Sequence, residues 1–186
     1  MRRASMLVMT IIGQDRPGLV DAVAAIVGEH GGNWLESRMS RLGGQFAGIL
    51  RVEVPAGQEP QLVSALNQLE ASGLTIVVAP DPSVTAPGPV CLRLLEIIGQ
   101  DRPGIVRQIS RVLAHSGVNI EELHTECGSA AMTGEALFKA RATLRLPAAC
   151  DIALLRQELE KIAADLIVDV SLADVDAPRP HSFGGA

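Results

Sequence analysis

Aromatic residues are nearly missing from this chain, which has no tyrosine, three phenylalanines and one tryptophan, Trp34. Nucleobases and sugars are commonly stacked on aromatic rings, so recognition of that kind is excluded as the main activity. A basic surface is lacking too: 16 Lys and Arg face 21 Asp and Glu, for a net charge of −5. Phosphate backbones are held mainly by Lys and Arg, and direct nucleic-acid binding is not expected. Cysteine is sparse. Cys91, Cys127 and Cys150 have no short paired spacing of the kind a disulfide framework or thiolate zinc site needs, and they read as buried reduced thiols. His124 and Cys127 fall on opposite faces of a strand, so no metal is expected there, and no cofactor is implied anywhere. Glu121, Glu122 and Glu135 are paired with no nucleophile and read as solvated carboxylates. No apolar run reaches the roughly 18 residues of a membrane span. Two Arg precede the apolar run Met6–Ile12, as in a secretory signal, but an equivalent run recurs deep inside the chain and both read as core strands. These absences leave a soluble protein, expected in the cytoplasm, whose cores are built from Val, Ile, Leu and Ala.

What the chain does have is a repeat. Ile11-Ile-Gly-Gln-Asp-Arg-Pro-Gly-Leu-Val20 returns as Ile97-Ile-Gly-Gln-Asp-Arg-Pro-Gly-Ile-Val106, nine of ten positions unchanged at an offset of 86 residues. The chain is therefore one small module read twice. In each copy an apolar run of strand length stops at Gly13 or Gly99, and a turn follows. Leu19, Val20, Val23, Ile26 and Val27 then recur at helical spacing, matched by Ile105, Val106, Ile109, Val112 and Leu113. Asn33 and Asn119 open the next strand at equivalent positions.

A third strand alternates most clearly in the second copy, with Phe138, Ala140, Ala142, Leu144 and Leu146 facing the core. By Pro55 and Pro147 the offset has grown to 92, so the second copy carries six extra residues near Gly128–Gly134. A second helix follows, on Leu62, Leu66 and Leu69 and on Leu155, Leu159 and Ile162, before closing strands Leu74–Ala79 and Leu166–Ser171. The order β-α-β-β-α-β, twice, predicts an α+β protein of two tandem ferredoxin-like domains. Each is a four-stranded antiparallel sheet with two helices on one face. The domains span residues 1–80 and 90–173, with a Pro-rich linker at 81–89 and a frayed tail at 174–186.

The repeated turn is the candidate site. Pro17 and Pro103 suit the first helical position, which leaves the amides of Gly18 and Leu19, or Gly104 and Ile105, free for a carboxylate or phosphate. Gly18 and Gly104 carry no side chain to block approach. Asp15 and Asp101 are placed to cap the helix or to meet an ammonium group. Asn33 and Asn119 are expected nearby, on a strand returning alongside the first. Good turn chemistry alone would explain Asp-Arg-Pro-Gly, yet the flanking helices have drifted between copies while the turn has not. Trp34 reads as a packed anchor between the modules or as a partner contact.

A strand, G-x-D-R-P-G-[LI]-V, a helix and an Asn opening the next strand resemble the ACT domain, a small-molecule sensing module. The resemblance covers both modules. Two such modules without a catalytic domain are similar to the glycine cleavage system transcriptional repressor family. The resemblance implies amino-acid binding where the loop after strand one meets a neighbouring module. It implicates Gly13, Asp15, Arg16, Pro17, Gly18, Leu19 and Asn33, and in the second copy Gly99, Asp101, Arg102, Pro103, Gly104, Ile105 and Asn119. It implies a non-catalytic homodimeric sensor, with glycine as the candidate ligand and a protein partner such as a DNA-binding regulator. A ligand-independent dimerisation module and the detached regulatory subunit of an amino-acid enzyme stay open.

Overall fold

The computed structural model describes residues 4–81, 91–129 and 136–175. The chain divides into two compact units, Met1–Ala86 and Pro87–Ala186. The first contains β1 (Ala4–Gln14), α1 (Leu19–Glu29), β2 (Asn33–Leu42), β3 (Gln45–Pro55), α2 (Glu59–Asn67), a 3-10 turn (Gln68–Ser72) and β4 (Leu74–Pro80). The second repeats the order as β5 (Cys91–Gln100), α3 (Ile105–His115), β6 (Asn119–Ser129), β7 (Ala136–Leu146), α4 (Ile152–Leu166) and β8 (Val168–Asp174). Both sheets are antiparallel where strands pair, with strand orders β2-β3-β1-β4 and β6-β7-β5-β8. The tandem ferredoxin-like architecture read from the sequence is the one observed.

Each unit has its own core. Leu7, Met9 and Ile11 of β1 and Leu50, Val52 and Val54 of β3 pack with Leu19, Val23 and Val27 of α1 and Leu62 and Leu66 of α2. In the second unit Leu95 and Ile97 meet Phe138, Ala140, Ala142, Leu144 and Leu146 under Ile105, Ile109, Leu113, Leu155 and Leu159. The period-two alternation of β7 is thus the burial pattern, because every second Cβ points at the helices. Val20 and Val106 belong to the sequence stripe but not to the core: each stays over two-fifths exposed at the first turn of its helix. Trp34 packs on the core of its own unit, and its Nε1 donates to Ser37 Oγ.

Two element boundaries differ from the sequence reading. Leu69 lies in the 3-10 turn rather than in α2. Leu166, expected in the last strand, is the buried final residue of α4, and the strand opens only at Val168. One edge strand of each sheet carries an irregularity at the matching place, between Trp34 and Glu36 in β2 and between Ile120 and Glu122 in β6. The insertion at 130–135, most of the proposed linker and the tail beyond 175 lie outside the described residues.

Candidate functional site

The repeated turn is built by two glycines with different duties. Gly13 ends β1 where β4 begins: a Cβ there would sit 2.7 Å from the Gly73 carbonyl oxygen and 3.0 Å from Leu74 Cδ1. Gly99 is tighter still, with Val168 Cγ1 at 2.6 Å, Val168 Cα at 2.7 Å and the Ile167 carbonyl oxygen at 2.9 Å. These residues let the first and last strands approach. Gly18 and Gly104 act through conformation, with φ of 90° and 98° in the left-handed region. Space is not their reason, since a Cβ on Gly18 would meet nothing within 4 Å and one on Gly104 only Gln108 Nε2 at 3.7 Å.

The left-handed glycine, not the proline, is the residue at the helix boundary. The helices begin at Leu19 and Ile105 with Gly18 and Gly104 as N-caps, so Pro17 and Pro103 precede the cap instead of occupying the first helical position. The cap carbonyls accept from Ala22 N–H at 2.9 Å and Gln108 N–H at 3.0 Å. No side chain caps either helix, which corrects the expectation for Asp15 and Asp101. The first-turn amides of Leu19 and Val20, and of Ile105 and Val106, therefore have no intrahelical partner and sit at the positive end of the helix dipole. Leu19 and Ile105 bury their side chains, so only their amides can face a ligand.

The turns are fastened alike and furnished differently. Asp15 N–H donates to the Gly44 carbonyl and Asp101 N–H to the Ala136 carbonyl, both at 2.9 Å, tying each turn to the end of the β2–β3 or β6–β7 connection. Around these anchors the side chains diverge. The Asp15 carboxylate pairs with Arg41, and Arg16 donates to the Ser72 carbonyl at 2.9 Å. Arg102 instead donates to Gln100 Oε1 at 3.0 Å. Position 127 corresponds to 41 at the 86-residue offset, and there the side chain beside Asp101 is the Cys127 thiol. Desolvation, and then the Asp101 carboxylate, push that thiol above its ordinary range. Cys127 is exposed, against the expectation of burial, while Cys91 and Cys150 are half-buried against the second core.

Asn33 and Asn119 are at the other end of their sheets. Asn33 pairs with Glu53, which in turn faces Met6, whereas the turn follows Gln14, which faces Gln45 beside Leu42. Eight residues of strand separate the two levels, about 27 Å at 3.3–3.4 Å per residue. The reason is the crossover: α1 runs back the length of the sheet, and β3 lies between β2 and β1. The second unit repeats this, with Asn119 facing Arg145 and Gln100 facing Leu137. Asn119 Nδ2 donates to Glu121 Oε1 at 2.7 Å, and Glu121 holds Arg145 through bonds of 2.8 and 2.9 Å. Gly13, Asp15, Arg16, Pro17, Gly18 and Leu19 thus come together within one unit, as do Gly99, Asp101, Arg102, Pro103, Gly104 and Ile105. The two asparagines do not join them.

Arg41 and Ser72 border the turns and are not singled out by the sequence, which reads Cys127 only as a thiol or metal ligand, although the fixed offset matches 41 with 127. Among the described residues no group of three or more His, Cys, Asp or Glu side chains could hold a metal ion. No helix among them is long and apolar enough to cross a membrane.

The family model of the ACT domain matches residues 5–79 and again 93–173. The glycine cleavage system transcriptional repressors of Escherichia coli (strain K12) and Shigella flexneri are each 24% identical over 162 residues, covering 86% of this chain and 85% of theirs. A crystal structure of an unknown protein from Galdieria sulphuraria is 30% identical, with a TM-score of 0.83 over 93% of this chain and 99% of that one. With both units matched, the chain belongs to the ACT domain family and carries the domain twice in tandem.

Proposed function

We propose that this protein is a non-catalytic sensor that binds a small amino acid at the repeated turn and passes its bound state to a protein partner. The observation that carries the reading is the turn itself. Each unit offers uncapped helix amides beside a carboxylate, the complement of a zwitterion's carboxylate and ammonium. The names of the bacterial relatives support a role in controlling amino-acid metabolism, with glycine as the first ligand to test; the net charge of −5 favours a DNA-binding partner, rather than this chain, as the group that meets DNA.

The asparagines enter this reading from a second copy. An edge strand of another chain running antiparallel to β2 places its own first residues level with Leu42, at the turn end of the sheet. Asn33 or Asn119 of that copy is thereby brought to the same end of the sheet as the turn, with β2 and β3 between them. The working form is accordingly a homodimer.

Calorimetric titration of the full chain with the common amino acids is the direct test, with a thermal melt alongside. Ligand at a hundred times its Kd stabilises the occupied fold by about 2.7 kcal/mol. Absence of both heat and melting shift for every amino acid refutes the sensor reading. An ordered dimer indifferent to all of them would favour the interaction-module alternative.

A further inference from the structure

The first helices of the two units carry opposite charge. α1 has Asp21 and Glu29 and no basic residue, whereas α3 has Arg107 and Arg111 and no acidic one. Arg107 occupies the position of Asp21 at the 86-residue offset, so the sign is reversed at one place in the fold. All four side chains are exposed, and none meets an ion partner among the described residues.

These charges border the open side of each unit. Val106 and Ser110 share a recess with Ile120 and Leu123, so this flank of α3 is turned toward the edge strand β6. The same line runs on to Ala114, and in the first unit it reads Val20, Ala24 and Gly28. Its residues are small enough for another helix to come close. Asp21, Glu29, Arg107 and Arg111 each follow a residue of that line, about 100° further round, on the rim that faces solvent.

An edge strand docked antiparallel on β2, as above, lays the first helix of the incoming unit antiparallel beside α1. If that unit is the second one, the helices centre near Ala24 and Ser110. Asp21 then stands within about 3 Å of axial rise of Arg111, and Glu29 within about 3 Å of Arg107. Joining two first units sets acid against acid, and joining two second units sets base against base. The edge strands lean the same way: β6 carries Glu121, Glu122 and Glu126 and no Lys or Arg, while β2 carries Arg38 and Arg41 against Glu36. Those strand charges are already engaged within their units, so the helices carry the choice.

The length of the linker points to a second copy. Asp81 and Cys91 are ten residue steps apart, a reach of at most about 36 Å. With β2 against β6 in one chain, β4 and β5 would lie six strand spacings apart, about 29 Å. Asp81 is level with Met6 and Cys91 faces Leu146 beside the level of Asn119, so the two would also lie toward opposite ends of the sheet. In a flat sheet the gap is about 42 Å, and twist shortens it only to roughly the linker's full reach. One chain could close on itself only with that linker taut, a constraint a second copy does not meet. We propose that the first unit of one copy docks edge to edge on the second unit of another, through α1 with α3 and β2 with β6, and that unlike helix charge selects this pairing. A two-fold axis makes the contact twice per dimer. The inference rests on the homodimer proposed above and names the surfaces that join.

The test is analytical ultracentrifugation of the full chain at low and high salt. A dimer is expected that weakens as salt rises. Asp21→Arg with Glu29→Arg, and separately Arg107→Glu with Arg111→Glu, should each weaken it at least about tenfold, because attractive pairs become repulsive. All four substitutions in one chain, or an equal mixture of the two variants, bring unlike charges together again and should recover most of the lost affinity. Recovery on mixing also shows that neither variant is misfolded. If either double variant dimerises as tightly as the parent, or the fourfold variant stays weak, the pairing is overturned and the homodimer stands. A chain that is monomeric at every concentration removes the homodimer and the pairing together, while the amino-acid titration decides the sensor reading separately.

Discussion

Replacing Gly13 or Gly99 by alanine tests how the first and last strands of each unit are brought together. At Gly13 the new methyl falls 2.7 Å from the Gly73 carbonyl oxygen, about 0.7 Å short of the 3.4 Å at which ordinary contact begins. Its other close neighbours, at 3.0 and 3.3 Å, are Leu74 Cδ1, which can turn aside, and Leu74 Cα. At Gly99 all three nearest atoms lie under 3.0 Å and two are backbone, so β5 and β8 must themselves separate. Overpacking of this kind costs about 1–3 kcal/mol. Alanine returns about 0.4–1 kcal/mol by restricting the unfolded chain. The net expectation is a loss of about 1 kcal/mol for Gly13→Ala and about 2 kcal/mol for Gly99→Ala. Urea unfolding separates the two, because Trp34 is the sole tryptophan and packs on the first core. Its fluorescence follows the first unit, while circular dichroism follows both. Gly13→Ala should lower the fluorescence midpoint, and Gly99→Ala should lower the dichroism of the second unit by roughly 1–2 M urea at the usual slope. A Gly99→Ala protein as stable as the parent, or less affected than Gly13→Ala, would refute the steric argument.

Gly18→Ala should cost about 1–2 kcal/mol in thermal or urea melts although nothing crowds the position, because the penalty is for the left-handed backbone alone. Asp151 caps α4 by accepting from Ala153 N–H at 2.9 Å and Leu154 N–H at 3.0 Å; Asp151→Ala should lower the second unit's stability by about 1 kcal/mol in the same melts. The Cys127 thiol is held protonated to a higher pH than a free cysteine, so at mildly alkaline pH less of it is thiolate. Asp101→Asn removes the carboxylate part of that effect, and iodoacetamide should then alkylate Cys127 faster. An unchanged rate would show that desolvation alone holds the proton.

The fold was legible because duplication showed each pattern twice. The alternation from Phe138 to Leu146 clarified its fainter twin from Phe46 to Val54, and together they placed the central strands. The turn was legible as a segment but not in its detail. Proline is compatible with the first helical position and with the residue before a glycine cap, and only φ at Gly18 and Gly104 separates the two. The placement of Asn33 and Asn119 needed the sheet order. An offset of 86 residues says that two positions correspond, but not that either lies near the turn. Leu166-Ile-Val has strand propensity, yet Leu166 completes the buried stripe of α4, so tertiary packing overrides the local preference. The Asp15–Arg41 pair and its replacement by Asp101 and Cys127 join segments brought together only by the hairpin end.

The paired irregularities at Trp34–Glu36 and Ile120–Glu122 limit where the β2 and β6 edges can be joined. Regular ladder geometry on the edges runs from Glu36 to Leu42 and from Glu122 to Ser129, the stretches that approach the turn. Ahead of each irregularity the alternation of side chains changes step, so an incoming strand cannot keep one continuous register along the whole edge. Each edge is thus a short berth with a stop at one end. Such a berth favours a finite partner seated beside the turn and disfavours the open-ended strand addition that leads to fibrils.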